Sequence, residues 1–224
     1  PGVYVNEGSY DMFDQLIFEE NFPSPTAPAQ LGCGTRHFAK LGWVAMRSGF
    51  TSVNDLAALF ICQRYHWSDL DPYAQNSFHI MHRGWLIKGN KNTLYIDGQY
   101  QRFIQGYPTV AQGAQAYSPG SKYDVGPGIQ AFESNRTYDY IKGDATNAYD
   151  QTKLKKFTRQ LVYLKPDIFV IFDNVITANP DIEKKWVIVP AAAPMDMANN
   201  VLRITNGDGT LWIKRLLPLS ASVD

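Results

Sequence analysis

The chain has 224 residues, enough for one large domain or two small ones with a substantial core. Its 21 lysines and arginines balance 21 aspartates and glutamates, so no global charge favours a nucleic acid or a membrane surface as partner. No apolar run approaches the roughly 20 residues of a membrane span. The two cysteines, Cys33 and Cys62, form neither a disulfide framework nor a zinc-finger spacing, and Cys62 lies in an apolar run typical of a buried, unreactive thiol.

The first forty residues differ in composition from the rest. The stretch YDMFDQLIFEE is typical of the last turns of a helix, and NFPSPTAPAQLGCG has the proline, glycine and alanine content of a linker. A chain that opens on Pro1 and closes on LLPLSASVD is interpreted as a fragment or a processed product. We therefore expect residues 1–40 to be the C-terminal tail of a helical domain plus a linker.

Strand patterns dominate from residue 42 onward, and no stretch of useful length has helical periodicity. The stretches GWVAMRSGF and LAALFICQRY are short, apolar and aromatic, and SFHIMHRGWLIKG alternates before a turn at Arg83-Gly84. Further turns are predicted at Asp97-Gly98, at Lys165-Pro166-Asp167 and at residues 206–209. These patterns predict an all-β fold, an antiparallel multi-stranded β-sandwich over residues 41–224, with one wet and one dry face per sheet.

A long loop is predicted from Gln105 to Gly128, where five glycines and three prolines occur. Loops of this length within a compact domain are more often functional than idle. The loop carries Tyr107, Tyr117 and Tyr123, whose rings suit either sugar stacking or the packing of the loop itself.

The densest polar group of the sequence is Tyr65-His66 with Asp69, Asp71 and Tyr73. These groups suit general acid–base catalysis, or a site for zinc or a hard cation. The alternative is a simple turn, because Ser-Asp-Leu-Asp-Pro is good turn chemistry and aspartates there cap local amides. The glycines of GPGIQAF and NGDGT do not lie between a strand and a helix, so nucleotide binding is not expected.

Five stretches, in order over about residues 41–218, resemble the C-terminal β-sandwich domain of the heparinase II/III-like polysaccharide lyases. The stretch LGWVAMRSGF resembles the strand that opens that domain after an α-helical toroid. The stretch AQNSFHIMHRGWLI resembles the family segment HxHxDxxSF followed by GxxL, and NKNTLYIDGQYQ is similar to the HNT strand. GDATNAYD with FTRQLVYLKPDIFVIFDNV is similar to the paired strands that follow, and GTLWIKRLLP to the closing hairpin.

The resemblance implies β-elimination on a uronic-acid polysaccharide, a glycosaminoglycan or alginate, by a secreted or periplasmic bacterial enzyme. In that family the catalytic groups are divided between the helical toroid and the sandwich, so the toroid of the same parent chain is the expected partner. The implied catalytic residues are His66, which reaches the family's first-histidine position only if the loop is longer here by four residues, and, as proton donor, Tyr73. Gln75 and Asn76 are the implied donors to the substrate carboxylate.

The sequence departs from the family pattern at the zinc site. Counted back without a gap from Ser77-Phe78, Pro72 and Ala74 stand at two of the motif positions. Lys88 lies near the expected aspartate and Lys91 replaces the histidine of HNT, so we expect no zinc and no other cofactor. The two lysines are expected to bind the anionic sugar instead. The alternative is a non-catalytic carbohydrate-binding or structural sandwich that has lost the family's metal and catalytic residues.

Overall fold

The computed structural model describes residues 34–52, 54–66, 74–102, 118–196, 199–218 and 220–222. Residues 1–33, with Cys33 and most of the predicted helical tail and linker, lie outside the described residues. The same holds for Asp69, Asp71 and Tyr73, and for the part of the predicted long loop that carries Tyr107 and Tyr117.

The described residues form an all-β fold in which one 3-10 turn, Thr146–Ala148, supplies the helical content. The strands are β1 (Thr35–Phe38), β2 (Trp43–Arg47), β3 (Ala57–Ile61), β4 (Ser77–Met81), β5 (Trp85–Ile87), β6 (Leu94–Ile96), β7 (Gly128–Ser134), β8 (Tyr138–Asp144), β9 (Leu154–Leu164), β10 (Ile168–Thr177), β11 (Lys184–Trp186), β12 (Met195–Asp196), β13 (Val201–Asn206) and β14 (Gly209–Lys214). No helix in this part of the chain has the length and apolar character of a membrane span.

The strands form four antiparallel sheets. A five-stranded sheet has the order β1-β2-β3-β4-β5, and a four-stranded sheet has the order β10-β9-β8-β7. Strands β11 and β6 form a pair, and β12-β13-β14 form a three-stranded sheet. All neighbours in the two larger sheets are consecutive in the chain, as in an antiparallel meander.

The main core lies between the five-stranded and the four-stranded sheets. Val44, Phe60 and Phe78 are in register on three adjacent strands, and all are buried. They belong to one apolar cluster with Ile141 and Leu161 of the other sheet. Full burial of each such side chain contributes about 1.5–3 kcal/mol, so this cluster holds the two sheets together.

The predicted turns are confirmed. Arg83-Gly84 turns β4 into β5 with positive φ at both residues, and Lys165-Pro166-Asp167 connects β9 to β10. Residues 206–209 connect β13 to β14. Asp97 and Gly98 also have positive φ, and Ile96 and Gln99 on either side of them form an antiparallel bridge, while β6 itself pairs with β11.

Two sequence expectations differ from the structure. Strand β1 lies within the segment predicted as linker, where it pairs with β2. The outer face of β10 is apolar rather than wet, since Ile168, Val170, Phe172 and Ile176 are each 43–55% exposed. The reason is that β10 carries apolar residues at both alternating sets of positions, so neither of its faces is polar.

Candidate functional site

An open cleft of about 550 Å³ lies where the segment after β6, the loop before β7 and the segment after the 3-10 turn meet. The residues that line it are polar in type, although more of the surface that they expose to the cleft is apolar than polar. The lining residues are Gln99, Arg102, Gly120, Ser121, Lys122, Asp124, Asn147, Tyr149, Asp150 and Gln151. Amides, cations and hydroxyls of this kind suit a polar, hydroxylated ligand.

Arg102 is fixed on the wall of the cleft by backbone carbonyls. Its Nε and Nη2 donate to the carbonyl oxygen of Asn147 at 3.1 and 2.7 Å, and Nη2 also donates to that of Asp124 at 3.4 Å. Carbonyl oxygens orient a guanidinium without neutralising its charge. Arg102 is exposed, so it presents an oriented cation to the cleft.

The two acids of the cleft are engaged by neighbouring donors. The Asp124 carboxylate accepts from the backbone N–H of Gly120 at 2.8 Å and of Gly126 at 3.1 Å. Asp150 accepts from the hydroxyl and the N–H of Thr152, and these bonds lower the pKa of its carboxyl, with smaller effects from the charges of Lys153 and Arg102. Both carboxylates therefore stabilise the loops in which they lie.

His66 lies beside this cleft. Its backbone N–H donates to the carbonyl oxygen of Tyr123 at 2.8 Å, and Tyr65 forms an antiparallel bridge with Asp124. The Tyr65-His66 segment is thus paired with the loop that carries Lys122 and Asp124 into the cleft. His66 is 5% exposed and adjoins the cleft wall rather than forming part of the lining.

Gln75 and Asn76 are buried inside the fold. The Gln75 side-chain oxygen accepts from the N–H of Gln63 at 2.6 Å, and the Gln75 backbone exchanges hydrogen bonds with the Gln101 amide at 3.0 and 2.6 Å. Asn76, with φ of 57°, is 0% exposed. In this arrangement the two residues hold the turn before β4, and their contact with a substrate carboxylate stays a prediction.

A buried polar network extends from this turn to the floor of the cleft. The Gln101 amide nitrogen lies 3.3 Å from the Thr93 hydroxyl and 3.4 Å from the Tyr149 hydroxyl. The Tyr149 hydroxyl donates to the carbonyl oxygen of Leu94 at 3.0 Å. Burial raises the pKa of Tyr149, so the phenol remains a protonated donor.

Arg159 anchors both segments that carry predicted site residues. Its Nη1 donates to the carbonyl oxygens of Asn76 at 2.6 Å and Asn92 at 2.8 Å. Its Nε and Nη2 each donate at 2.7 Å to the carboxylate of Asp173. The Arg159 side chain is 0% exposed, so this fork fixes the 74–76 turn against the 88–93 segment from inside.

Lys88 and Lys91 are exposed and lie outside the cleft lining. The Lys91 ammonium is 4.7 Å from the centre of the Tyr100 ring, which packs edge-on against Tyr95 at 4.7 Å. The structure therefore places both lysines on the surface, Lys91 beside Tyr100, and neither lines the cleft. Their contact with an acidic sugar stays a prediction.

The residues at the matched zinc positions do not fit a zinc ion. Ala74 is a buried methyl group without a ligand atom, and Lys88 and Lys91 carry cationic ends. Within the described ranges, no group of three or more histidine, cysteine, aspartate or glutamate side chains is placed to hold a metal.

Sequence reasoning missed Arg102, Lys122, Gln101, Tyr149 and Arg159. Tyr149 lies in GDATNAYD, and Asn92-Thr93 lie in NKNT, so two resembling stretches do contain parts of the network. Nothing in the spacing indicates that Arg159 reaches carbonyls 83 and 67 residues away in the chain.

Comparison with protein-family models and with curated proteins finds no match for this chain.

Proposed function

We propose that this chain is the β-sandwich part of a polysaccharide lyase that acts on a uronic-acid polymer. The five-stranded and four-stranded sheets form the two layers of the sandwich, and their shared apolar cluster supports this reading. The cleft holds the acidic sugar. The helical domain implied by the resemblance supplies the other half of the active site.

The observation that carries the proposal is the hydrogen bond from the His66 N–H to the Tyr123 carbonyl. It ties the candidate base to the loop whose next residues, Lys122 and Asp124, line a cleft with an oriented arginine. A base beside cationic donors is what β-elimination from a uronate requires.

In this mechanism Arg102 and Lys122 pair with the uronate carboxylate and acidify the proton on C5. His66 removes that proton, and the electron pair left on C5 forms the C4–C5 double bond as the C4–O bond breaks. Tyr73, or a tyrosine of the helical domain, protonates the departing glycosidic oxygen. The enzyme acts where such polymers occur, outside the bacterial cell or in its periplasm.

The test is an assay of the chain together with its helical domain on heparin, heparan sulfate, alginate, hyaluronan and chondroitin. Formation of unsaturated uronate is followed by its ultraviolet absorbance. Activity on one polymer, lost in His66→Ala and lowered in Arg102→Gln, supports the lyase. Activity that persists in His66→Ala removes His66 from the mechanism.

A non-catalytic, carbohydrate-binding sandwich is the second candidate. The observation that favours it is the burial of Gln75 and Asn76: the Gln75 side-chain oxygen accepts from the Gln63 N–H, and the Asn76 amide nitrogen donates to the Gly143 carbonyl oxygen. Under this reading the cleft binds acidic sugar without cleaving it. If none of the five polymers is cleaved, and binding depends on Arg102, this candidate is favoured over the lyase.

A further inference from the structure

The outer face of the β13–β14 hairpin presents an exposed tryptophan. Leu211 and Ile213 of β14 pack into the main core, so the alternating residues Thr210, Trp212 and Lys214 face outward. Trp212 is 57% exposed, against 46% for Trp85 and 42% for Trp186, and no other described tryptophan is as exposed. An exposed indole offers an apolar ring face together with a polar N–H, and such rings are enriched at binding interfaces.

Arg203 fixes one side of this ring. It is directly opposite Trp212 in the register, and its guanidinium carbon lies 5.7 Å from the ring centre. The Arg203 Nη2 is also 3.3 Å from the sulfur of Met195 on the next strand. The stacked arginine orients the indole while the ring remains more than half exposed.

The surroundings of the ring favour an acidic, hydroxylated ligand. The hydroxyls of Thr205 and Thr210, 3.4 Å apart, lie at the next outward pair of the register. On the other side of the ring the outward pair is Val201 and Lys214, and the Lys214 ammonium donates to the Asn199 carbonyl oxygen at 2.9 Å. The six outward residues of β13 and β14 thus include two cations, two hydroxyls and no acid.

We propose that this outer face of β13–β14 is a second polysaccharide-binding surface, on which a sugar ring of an acidic polymer stacks on Trp212. The polarised C–H groups of a pyranose match the negative face of the indole. Arg203 and Lys214 pair with the carboxylate or sulfate groups on the sugar, and the threonine hydroxyls bond its hydroxyls. The surface is separate from the Arg102 cleft, and one long chain that contacts both is held more tightly than by either.

The test is the affinity of the full 224-residue chain for alginate, measured by titration calorimetry at low salt, with neutral dextran as the comparison polymer. Trp212→Ala should weaken alginate binding about tenfold, the loss of one good stacking contact. Trp212→Phe should retain part of the affinity. The matched control is Phe172→Ala, since Phe172 is 55% exposed on the outer face of β10, a different sheet, and this variant should bind as the parent chain does.

The Arg203→Gln variant keeps the proposal testable if Trp212→Ala does not fold, because it too should weaken binding to alginate. Binding unchanged in both variants, or equal affinity for dextran and alginate, overturns the proposal. Equal Trp212-dependent affinity for single-stranded DNA also overturns it, since the surface would then recognise polyanions rather than sugars.

The outcome is distinguishable from that of the cleft. Arg102→Gln should leave the Trp212-dependent part of binding intact. Absence of cleavage of all five polymers by the unaltered protein, with Trp212-dependent binding present, would reject the lyase and leave this surface standing.

Discussion

Arg159 and Arg102 are both held by hydrogen bonds, but Arg159 is buried within the fold and Arg102 is exposed at the cleft. Arg159 is fully buried, and its donors go to one carboxylate and two carbonyls of the protein. Arg102 is exposed and hydrogen-bonded to backbone carbonyls at the wall of an open cleft. A buried cation must be neutralised by the fold itself, whereas an exposed one can be oriented and left for a ligand.

This difference distinguishes residues that stabilise the site from residues that face solvent and can bind a ligand. Arg159 is also enclosed by the rings of Phe78, Phe157 and Trp186, at 5.5, 5.5 and 5.8 Å from its guanidinium carbon. Its removal would affect the shape of the site through stability. Removal of Arg102 would affect what binds while the fold persists.

The largest expected effect is that of Arg159→Ala. The change leaves the Asp173 carboxylate, 13% exposed, and two buried carbonyls without their donor, so the free energy of unfolding should fall by about 3–5 kcal/mol. Urea denaturation measures it. The control is Lys153→Ala, which removes the exposed ion pair with Asp97 and should cost at most about 1 kcal/mol. Equal losses in the two variants would contradict the comparison.

Tyr149→Phe tests the network under the cleft floor. The change removes the hydroxyl that bonds Leu94, Gln101 and Thr93, and it should lower the free energy of unfolding by about 1–3 kcal/mol. The matched control is Tyr138→Phe, whose hydroxyl bonds Glu133 at the exposed surface. That variant should stay within about 0.5 kcal/mol of the parent chain by the same urea measurement.

The cleft variants should show the reverse pattern. Arg102→Gln and Lys122→Gln are each expected to change the free energy of unfolding by less than about 1 kcal/mol, because both side chains lie at the surface. Each should weaken binding of an acidic oligosaccharide, by about fivefold at low salt and less as salt increases. A loss of stability as large as that of Arg159→Ala would show that Arg102, like Arg159, stabilises the fold.

The smallest expected effect concerns pH and His37. Its ring packs against Phe132 with centres 5.0 Å apart, and burial lowers the pKa of His37 below the usual 6.5. As pH falls, His37 is therefore protonated at a higher pH in the unfolded chain than in the folded one. Well above pH 6.5 this residue does not change the free energy of unfolding, and below pH 6.5 it lowers that free energy. Melting temperatures between pH 7.5 and 5 should therefore decline less in His37→Gln. An identical decline in both chains would remove His37 as a cause.

The local features of the fold were predictable because each depends on adjacent residues. Asp97-Gly98 and the turn at 206–209 adopt positive φ where small or polar residues permit it, and Arg83-Gly84 does so between two apolar strands. Cys62 was expected to be buried, and it is 0% exposed with a pKa raised by burial to about 12.

The remaining features depend on residues far apart in the chain. Strand β1 has four residues, too few for a clear alternation, and gains its structure from β2. The cleft joins residue 99 to residue 151, and Arg159 bonds carbonyls of two other loops, so neither appears in any local pattern. His66 is a candidate from the sequence because its polar neighbours are contiguous, whereas Arg102 and Lys122 stand alone in the sequence.

The central claim is that the cleft receives an acidic sugar beside His66. The most direct measurement is the change in backbone amide NMR shifts of the chain on titration with a short oligouronate. The account predicts shifts concentrated at Gly120, Ser121, Lys122 and Asn147, all of which line the cleft, and their loss in Arg102→Gln. Shifts that avoid these amides, or that persist unchanged in Arg102→Gln, would contradict it.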